Sequence, residues 1–195
     1  MSVRPIRITG DPVLHTRAAP VTSWDDSLQE LLIDMVDTMR AAPGVGLAAP
    51  QIGVSQQVFV WEWTDDDGVF HQGAVINPTL KIGPRHRGKP DPDLDLEGCL
   101  SVPDLRFPLG RSDRVVLGGI TPQGNPVQIS AQGWLARIFQ HEYDHLQGNL
   151  YIDRLRFRDK REARADIRDN GWGAPGNSWL PGVDDFESDH EAEEA

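Results

Sequence analysis

Residues 140–148 read QHEYDHLQG. Two histidines, His141 and His145, stand four positions apart, with Glu142 directly after the first. Trp134, Leu135, Ile138 and Phe139 ahead of them and Leu146 behind recur at helical spacing, and Gly148 is a natural C-terminal stop. The spacing predicts a helix over about residues 130–147. A four-residue step puts both imidazoles on one helix face, close enough to share an ion. Glu142 lies one step round the helix, outside that row. The pattern is H-E-x-x-H: two ligands and a general base. The same three residue types also meet by chance on helix surfaces. Here, however, they sit in a mostly apolar helix, where charged groups need a reason to be.

The pattern needs a third ligand, and the chain offers Cys99 in EGCLSVP, residues 97–103. A lone cysteine is most often a small buried hydrophobe. As a thiolate it would complete a Cys/His/His set that leaves a fourth position open, the form of a catalytic metal site. Spacing alone does not bring Cys99 to the helix.

Outward from these segments, residues 25–40 (DDSLQELLIDMVDTMR) carry an amphipathic helix pattern. Ser23 and Asp26 form a candidate capping pair, and Pro43 and Gly44 a stop. QVFVWEW and GAVINPTL read as strands parted by the turn signal DDDG, and RVVLGGI and PVQIS as two more. Residues 81–95 read as a Pro-, Gly- and charge-rich loop, and the charged stretch after Tyr151 as a further helix. Strands flanked by helices indicate an α+β domain.

The length of 195 residues suits one domain with its own core. No run approaches the roughly 18 apolar residues of a membrane span, and the N-terminal stretch lacks an apolar signal core. A single cysteine rules out an intrachain disulfide, so a reducing, cytoplasmic setting is expected. The net charge is −11, and residues 184–195 hold seven acidic residues with no Lys or Arg. That composition argues against direct DNA binding. Residues 1–170 are read as the catalytic domain. Residues 171–195 are read as a loosening, acidic and disordered tail, with Trp172 and Trp179 as points of attachment.

Three segments in order, GVGLAAPQ (residues 44–51), EGCLS (97–101) and HEYDH (141–145), resemble the three motifs of peptide deformylase. DPVLHTRAAPV resembles that family's N-terminal segment, and the likeness spans roughly residues 4–158. It implies a single compact α+β domain with antiparallel strands around a central metal-binding helix. It implies removal of the N-formyl group from the first methionine of new polypeptides, with transient ribosome contact and a monomeric state. By the same likeness Cys99, His141 and His145 match metal ligands, and Glu142 the acid/base. Gln51 matches the side-chain amide, and Leu100 the backbone N–H, that face the oxyanion. Val45, Gly46 and Gly98 match positions that hold the substrate backbone, and Arg106 an arginine at its outer end. Leu100, Trp134 and Ile138 are candidates for a methionine pocket, and Arg137 is expected at its edge or in solvent. Ferrous iron is the implied physiological metal, with zinc or nickel able to take its place.

Two other readings stand beside this one. A metalloprotease could use the same helix, but would need a third ligand after His145, where His190 is the only histidine. A non-catalytic homologue could keep the fold and metal, but would not need Glu142 and Gln51. The roles of the acidic tail and of the 83–96 loop are open at this level.

Overall fold

The structure is a computed structural model and describes residues 2–84 and 88–184. The chain runs through β1 (Ile6–Arg7), α1 (Asp26–Ala41), β2 (Gly46–Ala48), β3 (Val58–Thr64) and β4 (Phe70–Ile82). It continues through β5 (Leu96–Cys99), β6 (Val102–Pro108), β7 (Arg114–Ile120) and β8 (Pro126–Gln132). Last come α2 (Gly133–Leu146), α3 (Phe157–Asp169) and β9 (Ser178–Trp179). A five-stranded antiparallel sheet has the order β2-β3-β4-β7-β8, while β5–β6 and β1–β9 form separate pairs.

Val58, Phe59, Val60 and Trp61 follow one another without a polar residue, which a strand tolerates when both of its faces are covered. Successive side chains point to opposite faces. Val58 and Val60 join the cluster of Leu28, Leu32, Met35 and Met39 from α1. Phe59 and Trp61 join Ala136, Ile138, Phe139 and Leu146 from α2. The sheet is thus the middle layer between the two helices. Trp61 meets Phe139 edge-on, with ring centroids 4.9 Å apart and planes at 77°, worth about 0.5–1.5 kcal/mol beyond area burial. A third cluster, with Leu14, Val102, Phe107, Leu150 and Tyr151, seats the β5–β6 hairpin on the segment after α2.

Several boundaries differ from expectation, each for a local reason. Asp25, not Ser23, caps α1: its carboxylate accepts from the N–H groups of Ser27 and Leu28. Residues 130–132 stay in β8, because Ser130, Ala131 and Gln132 pair with Val116, Val115 and Arg114, so α2 begins later. Lys81 and Ile82 extend β4, and the Asp91 carboxylate turns the chain at Asp93 and Leu94. After Gly171 the chain runs through turns and bends to β9. There β9 pairs with β1, and Gly173 N–H donates to the Thr9 carbonyl. Residues 185–195, most of the acidic tail, and 85–87 of the charged loop lie outside the described residues. Among the described residues no helix is long and apolar enough to cross a membrane.

Candidate metal centre

His141 and His145 lie in the second half of α2. Cys99 ends β5, at the turn into β6. The packing of the hairpin against the segment after α2 brings the cysteine over the helix. Cys99 Sγ is 3.3 Å from His145 Nε2, and the two Nε2 atoms are 3.2 Å apart. All three donor atoms fall within 4.8 Å of one another. A tetrahedral ion with ordinary Zn–S and Zn–N bonds would need edges of about 3.6 Å and about 3.3 Å, close to the two spacings between His145 and its partners.

The electrostatics suit a cation as well. Burial alone would lower His141, but Cys99 and Glu97 beside it hold it well above the usual imidazole range. The site draws a positive charge to the place where an ion would sit. Burial and the neighbouring His141 hold His145 low, and so neutral with a lone pair to give.

Behind the histidines stands an ionic chain. The Glu97 carboxylate bonds His141 Nδ1 at 2.7 Å, which fixes the ring so that Nε2 faces inward. Arg111 donates to Glu97 at 2.6 and 3.0 Å and to Asp144 at 2.7 Å. Arg154 closes the far side of Asp144. Burial would raise Glu97, but Arg111 and His141 hold it far below the usual carboxylate range. Arg137, expected at the pocket edge or in solvent, is not in solvent: it is 8% exposed. It bonds Glu97 at 3.1 Å, Asp95 at 2.6 Å and the Leu109 carbonyl at 2.7 Å. Glu97, Arg111 and Asp144 were not singled out by sequence, and Arg137 was given no part in an ionic chain. The one signal was charge set among apolar and small residues.

Glu142 is 4% exposed, and its Oε2 has no hydrogen-bond partner among the described residues. Burial pushes its carboxyl up to about 7. It packs against β2: a Cβ added to Gly46 would lie 2.4 Å from Glu142 Oε1, so a larger residue there would force the carboxylate or the strand to shift. Gln51 accepts the Ala48 N–H at 2.8 Å through Oε1, which points its Nε2 at Ser101 Oγ (3.3 Å) and Cys99 Sγ (3.8 Å). Leu100 follows Cys99 in the same turn. Val45 is exposed next to β2, an edge strand of the sheet. Gly98 pairs with Arg106 across the hairpin. Gln51 and the turn after Cys99 thus meet at the sulfur, and Gly46 meets Glu142.

Trp134 and Ile138, the pocket candidates on α2, lie ahead of His141 on the same helix. Ile138 is buried in the sheet-facing cluster with Phe59 and Leu117. Trp134 opens α2 beside Trp63, at 6.0 Å, with the Arg137 guanidinium over its ring at 5.2 Å. It lies two turns from His141, about 10 Å along the axis.

The chain matches the family model described as "Polypeptide deformylase" over residues 3–161. It is 50% identical over 189 residues to "Peptide deformylase" of Mycolicibacterium paratuberculosis, which covers 93% of this chain and 96% of that one. It is 48% identical over 192 residues to "Peptide deformylase 2" of Corynebacterium efficiens, covering 98% and 100%. The crystal structure of a peptide deformylase from Legionella pneumophila is similar, with a TM-score of 0.75, 36% identity and coverage of 87% and 96%. So is that from Ehrlichia chaffeensis in complex with actinonin, with a TM-score of 0.76, 32% identity and coverage of 87% and 98%.

Proposed function

The chain belongs to the peptide deformylase family and removes the N-formyl group from nascent polypeptides; we propose that Cys99, His141 and His145 hold its divalent ion and that Glu142 carries the proton. The observation that carries this reading is the convergence of one Sγ and two Nε2 atoms beside a buried carboxylate with an unpartnered oxygen. When bound, a divalent ion supplies Lewis acidity and a nucleophile at neutral pH.

The protein groups supply the rest. Glu142, poised near neutrality, takes a proton at Oε2 and delivers it to the nitrogen of the departing amine. The Gln51 amide, oriented by Ala48, and the Leu100 N–H stabilise the charge that develops on the formyl oxygen. One such donor is typically worth about 3 kcal/mol of barrier. The extended substrate backbone adds as a strand between Val45–Gly46 and Gly98, with Arg106 at its outer end. Two features support this: β2 is an edge of its sheet, and β5 pairs only with β6 among the described residues. The side chains of Leu100, Trp134 and Ile138 give apolar ground for the methionine.

Ferrous iron is the proposed physiological ion, with zinc or nickel as substitutes, since mixed thiolate and imidazole donors suit all three. Iron beside Cys99 makes the enzyme oxygen-sensitive. The proposed setting is the cytoplasm, as a monomer in transient contact with the ribosome. The test uses protein purified without oxygen and loaded with iron, nickel or zinc, and measures formate released from formyl-Met-Ala-Ser. Metal-dependent release, with acetyl-Met-Ala-Ser untouched, is the expected result. Metal-loaded protein that releases no formate would refute the assignment.

A further inference from the structure

Trp179 lies outside residues 3–161, which the family model matches, yet it reaches the turn that bears Cys99. Strand β9 holds it by pairing Trp179 with Ile6 and Ser178 with Arg7. From there its indole Nε1 donates to the Leu100 carbonyl at 2.9 Å. That carbonyl shares a peptide unit with the Ser101 N–H, which donates to Cys99 Sγ at 3.4 Å. A peptide unit is planar and rigid, so the orientation of its C=O fixes the orientation of its N–H. Hydrogen bonding at one end also polarises the bond at the other. On the next residue, the Ser101 carbonyl accepts the Thr9 N–H at 2.8 Å. The turn is thereby fixed from outside on two successive peptide units.

We infer that Trp179 is a positioning residue for Cys99, acting through the peptide unit between Leu100 and Ser101. The indole N–H holds that unit with its own N–H aimed at the sulfur. The sulfur keeps one electron pair engaged by this donor and another directed at the histidines. Outer partners of a ligand govern how firmly an ion is held, typically by 10- to 100-fold in affinity. The inference rests on the proposed role of Cys99 as a ligand.

The test uses the full chain loaded with Co2+ without oxygen, since a sulfur-to-cobalt charge-transfer band reports the Cys99 bond directly. Trp179→Phe keeps an aromatic ring and removes the N–H. Replacing Trp179 with β-(3-benzothienyl)alanine keeps the shape of the indole and puts sulfur where the N–H was. Both variants are expected to shift the band and to lose Co2+ to excess chelator about tenfold faster than wild type. A role in packing alone would lower the Tm of the phenylalanine variant and leave the benzothienyl variant like wild type. That pattern, or an unchanged band and release rate in both variants, overturns the inference. Cys99→Ser serves as the reference. If it loses the band, the ligand reading stands by itself; if it keeps the band, that reading fails and the inference fails with it.

Discussion

Arg111→Met removes a cation that lies between two buried carboxylates. The Arg111 side chain is 7% exposed and makes two hydrogen bonds to Glu97 and one to Asp144. Methionine fills similar space but satisfies neither acid. Breaking a buried pair from one side costs about 3–5 kcal/mol. Glu97 keeps Arg137 and His141, and Asp144 keeps Arg154, which points to the lower end, about 3 kcal/mol. For a chain of this size that is a fall in Tm of about 6–12 °C. The pH dependence has a definite sign. Glu97 has a depressed value in the fold, so its contribution is present above its unfolded value and is lost as pH falls toward the depressed one. Without Arg111 the folded value rises toward the unfolded one, so less stability is lost as the pH falls, and the variant's deficit against wild type shrinks in acid. Urea titration of metal-loaded protein from pH 7 down to pH 4 measures both effects. The double variant Arg111→Met, Glu97→Gln should recover part of the loss, because it removes the uncompensated charge. A loss under about 1 kcal/mol, or strict additivity in the cycle, would refute the claim that these charges form one unit.

Gly46→Ala should displace the Glu142 carboxylate, because the new Cβ falls 2.4 Å from Oε1; kcat should drop at least tenfold with the ion retained, and unchanged turnover would show that β2 yields. Glu142→Gln should retain the ion and abolish most formate release. In metal-stripped protein, Glu142 is raised to about 7, so wild-type stability should fall as pH climbs from the ordinary carboxylate value to that point. The glutamine variant should lack that slope in urea titrations, and parallel curves would contradict it. Phe139→Ala should cost about 3–5 kcal/mol, since its fully buried ring packs on Trp61 and Phe59. A urea midpoint close to wild type would mean that the cluster collapses to fill the gap.

The parts of the fold legible in sequence are those with a period. Leu28, Leu32, Met35 and Met39 mark α1, and the runs around Val58, Val75, Val115 and Val127 mark strands that the structure contains. The β5–β6 hairpin had no such signal: Gly98, Pro103 and Asp104 interrupt it, and Asp104 adopts a positive φ of 59°. Strand β2 is only three residues long, and β1 with β9 exist because two distant segments pair. The three donor residues were visible by type and by motif, but the meeting of Cys99 with the helix is a product of tertiary packing. The ionic chain was hidden for the same reason. Glu97 and Arg111 are 14 positions apart, and Arg111 and Asp144 are 33 apart. Arg137 looked like a surface residue because its helix position alone carries no record of the two acids waiting above it.

The turn at Cys99 is gripped by Thr9 from one end of the chain and by Trp179 from the other. During synthesis the first grip can form early. The second must wait until β9 has left the ribosome and found β1, a closure across most of the chain and so a late one. An enzyme that acts on newborn polypeptides therefore finishes its own centre only after Trp179 has emerged and β9 has paired with β1. A copy interrupted before residue 179 would carry all three donor residues and still leave the thiol's turn unbraced on one side.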